Sequence, residues 1–260
     1  MSDPTKPTES GMNRTGVATS PIDGPATVEG AKAGTPSPVL EPSGLVAARV
    51  SCAEQAAPLG TMPIPTSFKS LAEAAAQMLR GKKPMVFLDL LGERLAFERT
   101  GVRLYEGLLV KLEAADPHPG GPSREDLERI RDEELEHFAL LKETMTALGA
   151  DPTAVTPSAD VIAVASSGLC HVIGDPRTTL TETLKAILTA ELADNDGWLT
   201  LADLADRLGH TETSNAFRRA LAEEEDHLAR VRSWLAAAVE GEAGLEPAPQ
   251  PGEPAAPVAP

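Results

Sequence analysis

Cysteine, positive charge and long apolar runs are all scarce in this chain, and each scarcity removes a class of function. Only Cys52 and Cys170 are present, so neither a disulfide framework nor a paired C-x-x-C metal site can form. Asp and Glu outnumber Lys and Arg by 39 to 23, for a formal net charge of −16. A surface that grips nucleic acid through its phosphates has to be basic, so nucleic acid is not an expected partner. The same charge suits cations as ligands, and also serves solubility. No run of 18 consecutive apolar residues occurs, and the opening Met-Ser-Asp-Pro-Thr-Lys-Pro has no apolar h-region. Neither a membrane span nor a Sec-type signal is therefore expected, and the default is a soluble cytoplasmic protein.

Proline is scarce only in the middle. Ten of the 23 prolines lie in residues 1–66 and six in residues 241–260. Both ends also lack an apolar period, which predicts a disordered Pro-rich arm over 1–66 and a disordered tail over 241–260. Residues 67–240 are rich in Ala, Leu, Glu and Arg, a helix-forming composition over a length able to bury a core.

Helix boundaries are legible there. Lys83-Pro84 opens a first long helix that must end before Asp116-Pro117. Ser123, with Asp126 three residues on, opens a second that stops at Gly149. Thr179 and Glu182 make a capping box for a third, stopping at Gly209, and Thr211 is positioned to cap a fourth that fades at Gly241. A shorter helix is expected around Leu71–Leu79. The first and second helices, and the third and fourth, are joined by short connections, which make antiparallel neighbours. Residues 149–178 are too long for an ordinary loop. A helix of about 28 residues spans about 42 Å, a height such a segment can travel. The fold class is thus all-α: two helical hairpins joined by a long crossover, with a small helix expected over Ser158–Val172.

Each helix carries an apolar seam in alternating three- and four-residue steps. The first reads Leu88, Leu91, Leu95, Glu98, Val102, Tyr105, Leu109, Leu112; the second Leu127, Ile130, Glu134, His137, Leu141, Met145, Leu148. The third reads Leu180, Leu184, Ile187, Glu191, Asp194, Trp198, Leu201, Ala205, Leu208; the fourth Phe217, Ala220, Glu224, His227, Val231, Trp234, Ala238. Charged groups interrupt each seam only near its middle, so Glu98, Glu134, Glu191 and Glu224 reach about the same height whichever way the helices run. His137 and His227 each stand one turn beyond a glutamate, on the same face. The halves mirror one another: Glu134 follows Glu98 after 36 residues, and Glu224 follows Glu191 after 33.

Four buried carboxylates cannot all stay ionised unaided, so they take up protons or are neutralised by cations. Two divalent ions balance four glutamates. Six ligands of mixed oxygen and imidazole type suit iron or manganese; structural zinc prefers four ligands with sulfur or imidazole.

Glu98, Glu134-Leu-Glu-His137, Glu191 and Glu224-Glu-Asp-His227 resemble the di-metal carboxylate motif of the ferritin-like family, which includes bacterioferritin, rubrerythrin and manganese catalase. The resemblance covers about residues 84–240. It implies a ferritin-like four-helix bundle in which Glu134 and Glu224 bridge two metals, Glu98 and His137 complete one ion, and Glu191 and His227 the other. Asp194 lies where rubrerythrin-like members carry an additional glutamate; it is either an extra carboxylate at the metals or a partner of a ligand. The resemblance further implies two iron ions, with two manganese ions as the alternative. The chemistry it implies is ferroxidase or peroxidase type, with Fe(II), oxygen or peroxide as substrates. Lacking a rubredoxin-like Cys₄ module, the chain would draw electrons from an external donor or from Fe(II). Dimanganese catalase, or a metal-holding protein tethered through its N-terminal arm, are the other readings, and a homodimer is the expected assembly.

The remaining polar residues carry blander expectations. Tyr105 and Trp198 read first as core filling, although Tyr105 could hydrogen-bond a ligand or relay an electron. Glu133, Glu136, Glu223 and Glu225 fall off the seams and read as solvated surface charges. His118 and His210 read as structural, and Cys170-His171 is too small a set to make a metal site. Gly92, Gly101, Gly107 and Gly197 lie inside helices at up to about 1 kcal/mol each, which close helix approach or substrate access would explain.

Overall fold

Every regular element among the described residues of the computed structural model is a helix; these residues are 23–33, 42–63, 83–116 and 119–245. Two short helices, α1 (Asp23–Ala33) and α2 (Pro42–Gln55), belong to one compact unit of the chain. They form where no regular structure was expected. Runs such as Val-Ala-Ala-Arg favour helix locally, yet Leu45, Val46 and Val50 of α2 stay exposed. The expected helix around Leu71–Leu79 lies outside the described residues.

The second unit holds the bundle: α3 (Pro84–Ala114), α4 (Arg124–Ala147), α5 (Pro157–Gly174), α6 (Leu180–Leu208) and α7 (Thr211–Glu242). The boundary signals operate as local chemistry predicts. Pro84 opens α3. The Ser123 hydroxyl accepts from the Asp126 amide at 3.0 Å. Thr179 accepts from the Glu182 amide at 3.2 Å while the Glu182 carboxylate takes the Thr179 amide at 2.8 Å. At Gly209 the backbone turns left-handed (φ 91°) and the chain re-enters helix at once. The expected cap at Thr211 is corrected here: Thr211 is already helical and His210 holds the N-cap position without a side-chain cap.

The crossover holds the helix expected over Ser158–Val172: α5 starts one residue earlier and ends two later, lies along α3 and touches α6 as well. Its inward stripe is Ala159, Ile162, Ser166, Leu169 and Ile173. Both ends are fastened to α3. Asp89 accepts from the Ser158 amide (2.9 Å) and hydroxyl (2.8 Å), Thr156 donates to the Asp89 carbonyl, and Lys111 donates to the Thr178 carbonyl at 2.9 Å. α5 is the described helix whose length and composition would let it cross a membrane; one stripe of it docks along α3, while Val161, Val164 and Val172 stay exposed.

Core residues fall into two apolar clusters. One gathers Phe97, Leu108, Leu127, Ile130, Leu184, Ile187, Val231 and Trp234. The other gathers Leu88, Leu91, Leu141, Met145, Trp198, Leu201 and Phe217. Late residues of α3 and α7 thus meet early residues of α4 and α6, so α3 and α7 run one way and α4 and α6 the other. Between the clusters lies a layer of buried charge.

Candidate metal centre

The polar layer is built from all four long helices. Glu98, Glu134, His137, Glu191, Asp194, Glu224 and His227 are each at most 2% exposed. All six expected ligands are therefore brought together at one height, because the seams on either side of them are zipped by apolar packing.

Their donor atoms form overlapping sets. Atoms of Glu134, Glu191, Glu224 and His227 lie within 4.8 Å of one another, as do those of Glu98, His137 and Glu224. A third set joins Glu98, Glu134, Asp194 and Glu224. His137 Nδ1 stands 2.7 Å from Glu224 Oε1 and 3.7 Å from Glu98 Oε2; His227 Nδ1 stands 3.3 Å from Glu224 Oε2 and 3.7 Å from Glu134 Oε1. Yet His137 Nδ1, both Glu98 oxygens, Glu134 Oε2, Glu191 Oε2 and Glu224 Oε1 make no aligned hydrogen bond. These groups are close without being aligned for hydrogen bonds to one another. Buried polar atoms left in that state need an explanation, and a cation among them supplies one. The residues fit a metal site.

The outer faces of the imidazoles correct one expectation. Glu133 and Glu223 are not simply solvated charges. Glu223 Oε2 lies 2.8 Å from His137 Nε2 and Glu133 Oε2 lies 2.8 Å from His227 Nε2, so each helix of the α4/α7 pair orients the histidine of the other. Glu133 is held in turn by Arg129 at 2.6 Å, and Arg129 also reaches Asp226 at 3.2 Å. The repeated pattern Glu-Glu-x-x-His in both helices was the signal that could have found this pairing. Holding one ring nitrogen leaves the other aimed inward, as metal-binding histidines require.

Tyr105 hydrogen-bonds Glu191 through its hydroxyl, and Asn195 Nδ2 donates to the carbonyls of Glu191 and Glu224, each at 3.0 Å. Asp194 is paired to a residue that the seam reading missed, Arg94, whose Nη1 lies 2.8 Å from Asp194 Oδ1. Trp198 is core, edge-on to His137 with ring centroids 5.4 Å apart. His210 stacks on Phe87. Cys170 and His171 lie exposed on α5, and His118 is outside the described residues.

The glycines inside the helices are keyholes for neighbouring side chains. A Cβ on Gly101 would overlap the Glu134 carboxylate, on Gly197 the Arg94 guanidinium, on Gly92 the Thr156 side chain and on Gly107 Ile173. Close approach, one of the two expected reasons, is the one observed.

Without a cation the layer must carry protons. Burial, reinforced by Glu224, Glu98 and Glu191, pushes Glu134 well above the usual carboxylate range. Burial likewise raises Asp194 in spite of Arg94, and burial with Glu224 raises Glu191 to about 8. Burial would raise Glu224 too, but His137 and His227 bring it down to about 2. Burial alone would lower the imidazoles; the carboxylates of Glu224 and Glu98 lift His137 to about 12, and those of Glu224, Glu191 and Glu133 lift His227 to about 9. Metal ions can enter only by displacing such protons.

Residues 124–238, from α4 through nearly all of α7, match the family model of the ferritin-like domain. Together with the all-helical bundle, that match supports membership of the ferritin-like superfamily. Helix α3, which carries Glu98 and Tyr105, lies outside the matched stretch. Neither a curated protein nor a solved structure matches the chain.

Proposed function

We propose that the layer holds two iron ions and that the protein uses them to reduce oxygen or peroxide, as a ferroxidase- or peroxidase-type oxidoreductase. The observation that supports this most is the convergence of buried donor atoms, without aligned hydrogen bonds, from Glu98, Glu134, His137, Glu191 and Glu224. Glu224, present in both histidine-containing sets, and Glu134 would be shared between the ions. Glu98 with His137 would complete one ion, and Glu191 with His227 the other. Carboxylate oxygens with two imidazoles are a donor set for iron or manganese rather than for structural zinc.

Bound there, iron supplies the electrons that oxygen or peroxide accepts. The protein's own residues do the rest. Their negative charge favours the more highly charged metal state, and the two apolar clusters keep bulk water from the layer. Glu133 and Glu223 hold the imidazole Nε2 atoms so that Nδ1 faces inward. Burial and Glu191 keep the Tyr105 hydroxyl protonated by raising it well above its ordinary value, so Tyr105 holds Glu191 as a hydrogen-bond donor.

The test is to load the protein anaerobically with Fe(II), add oxygen or peroxide, and follow the absorption of ferric iron. The native chain should react with bound stoichiometry, and the Glu134→Ala/Glu224→Ala variant should not. Identical traces would reject the reading. Elemental analysis of protein made with both metals present decides between iron and manganese.

A further inference from the structure

The layer contains a cation of its own. Arg94, on α3 one turn before Glu98, is 3% exposed. Its Nη1 pairs with Asp194 Oδ1 at 2.8 Å and donates to the Asp194 carbonyl at 3.2 Å. Its Nε stands 3.4 Å from Glu98 Oε1, and its guanidinium lies 4.3 Å from the centre of the Phe97 ring. Gly197 leaves the space that the guanidinium fills. The geometry of this residue is made for it on every side.

Arg94 touches the third carboxylate set, which differs from the other two. Glu98, Glu134, Asp194 and Glu224 bring oxygens within 4.8 Å of one another with no imidazole among them. Of these, both oxygens of Glu98, Glu134 Oε2, Asp194 Oδ1 and Glu224 Oε1 have no aligned hydrogen-bond partner, nor has Arg94 Nε, so the guanidinium engages Asp194 and Glu98 as ion pairs. Five buried carboxylates line the layer, counting Asp194 with the four glutamates. One guanidinium against them leaves four negative charges, the charge that two divalent ions neutralise. Without Arg94 the layer would be one charge short of balance.

We infer that Arg94 is a built-in third cation: it takes the place of a metal ion in the third carboxylate set, holds Asp194 away from the metals, and sets the capacity of the site at two divalent ions. This rests on the reading that the layer binds metal. A guanidinium suits the task because it stays charged and its planar fork engages two carboxylates at once. Arg94 is a positioning residue here, acting on the metals only through Asp194 and Glu98.

Titration of the full chain with Co(II), followed by calorimetry and by metal analysis after desalting, tests this. The native chain should bind two ions; failure to bind any would refute the metal-site reading itself. Arg94→Gln should gain capacity, binding a third ion or holding the second more tightly. Asp194→Asn keeps the guanidinium but removes a carboxylate, and should weaken the second ion by roughly a hundredfold, the effect of one unneutralised charge at about 5 Å. The Arg94→Gln/Asp194→Asn double variant restores the balance and should bind two. A merely structural Arg94–Asp194 pair would weaken binding in both single variants. That outcome, or unchanged binding in both, overturns the inference. If Arg94→Gln does not fold, the double variant is compared with Asp194→Asn: recovery of the second ion supports the inference, and no recovery overturns it.

Discussion

Gly101 offers the sharpest separation of packing from metal binding. Replacing it with alanine should favour the α3 helix by about 1 kcal/mol. Against that, the new methyl group overlaps the Glu134 carboxylate, which is 1% exposed and cannot swing into water. Overpacking of this kind costs about 1–3 kcal/mol, so the apo protein should lose no more than about 2 kcal/mol on balance. Metal binding should suffer far more, because the displaced group belongs to the donor set: a loss of about 10- to 100-fold in affinity is expected, as for other disturbed metal ligands. Gly107→Ala is the control. Its methyl group meets Ile173, an apolar residue of α5, so a similar stability change should come with unchanged affinity. Thermal melts of the apo proteins and Co(II) titrations read the two effects separately. Native affinity in Gly101→Ala, or equal losses in both variants, would refute the assignment of Gly101 as the keyhole for Glu134.

The protonated layer makes the apo protein sensitive to pH in one direction. Glu191, raised from 4.5 to about 8, and His227, raised from 6.5 to about 9, bind protons more tightly folded than unfolded. Their contribution is complete below the unfolded values and is lost as pH rises through 8 and 9, so the apo melting temperature should fall between pH 6 and 9 while the gain on adding metal widens. An apo melting temperature that climbs over that range would contradict it. Glu133→Gln should lower metal affinity more than Glu223→Gln, because the Glu133 side chain is 24% exposed and Arg129 anchors it, whereas Glu223 is 51% exposed; Co(II) titration checks the order. Asp89→Ala removes the bonds from Ser158 to α3 and should destabilise the bundle by about 1–3 kcal/mol, with proteolysis appearing first near α5 and the metal stoichiometry unchanged.

Most of the bundle was readable because its helices obey one rule at a time. A three-and-four apolar period fixes a facing side without reference to chemistry, and the glutamates at 98, 134, 191 and 224 interrupt that period at the midpoints. Arg94 escaped the same rule because α3 is covered by α4, α5 and α6 together. A second stripe of Phe87, Arg94, Phe97, Leu104 and Leu108 is buried there, and a single-seam reading assigns Arg94 to solvent. The crossover helix was legible as well, over Ser158–Val172 against the observed Pro157–Gly174, although its inward stripe includes Ser166. Glu133 and Glu223 were misjudged because a strict seam has no place for a side chain that leaves its own helix face and reaches the histidine of a neighbour.

The two apolar clusters explain why the layer can exist before any cation reaches it. Each fully buried leucine or phenylalanine contributes about 1.5–3 kcal/mol, and such residues stand on both sides of the buried charge. The helices are therefore held at their spacing from outside the layer, while inside it protons on Glu134, Asp194 and Glu191 and the guanidinium of Arg94 limit the repulsion. Exchange of protons for metal can then proceed at nearly fixed backbone geometry. Removing one carboxylate from such a layer relieves repulsion in the apo state and removes a ligand in the loaded state. Variants at Glu134 or Glu191, whose carboxyls burial raises, should accordingly fold at least as stably as the native apo chain and still fail to gain stability when metal is added.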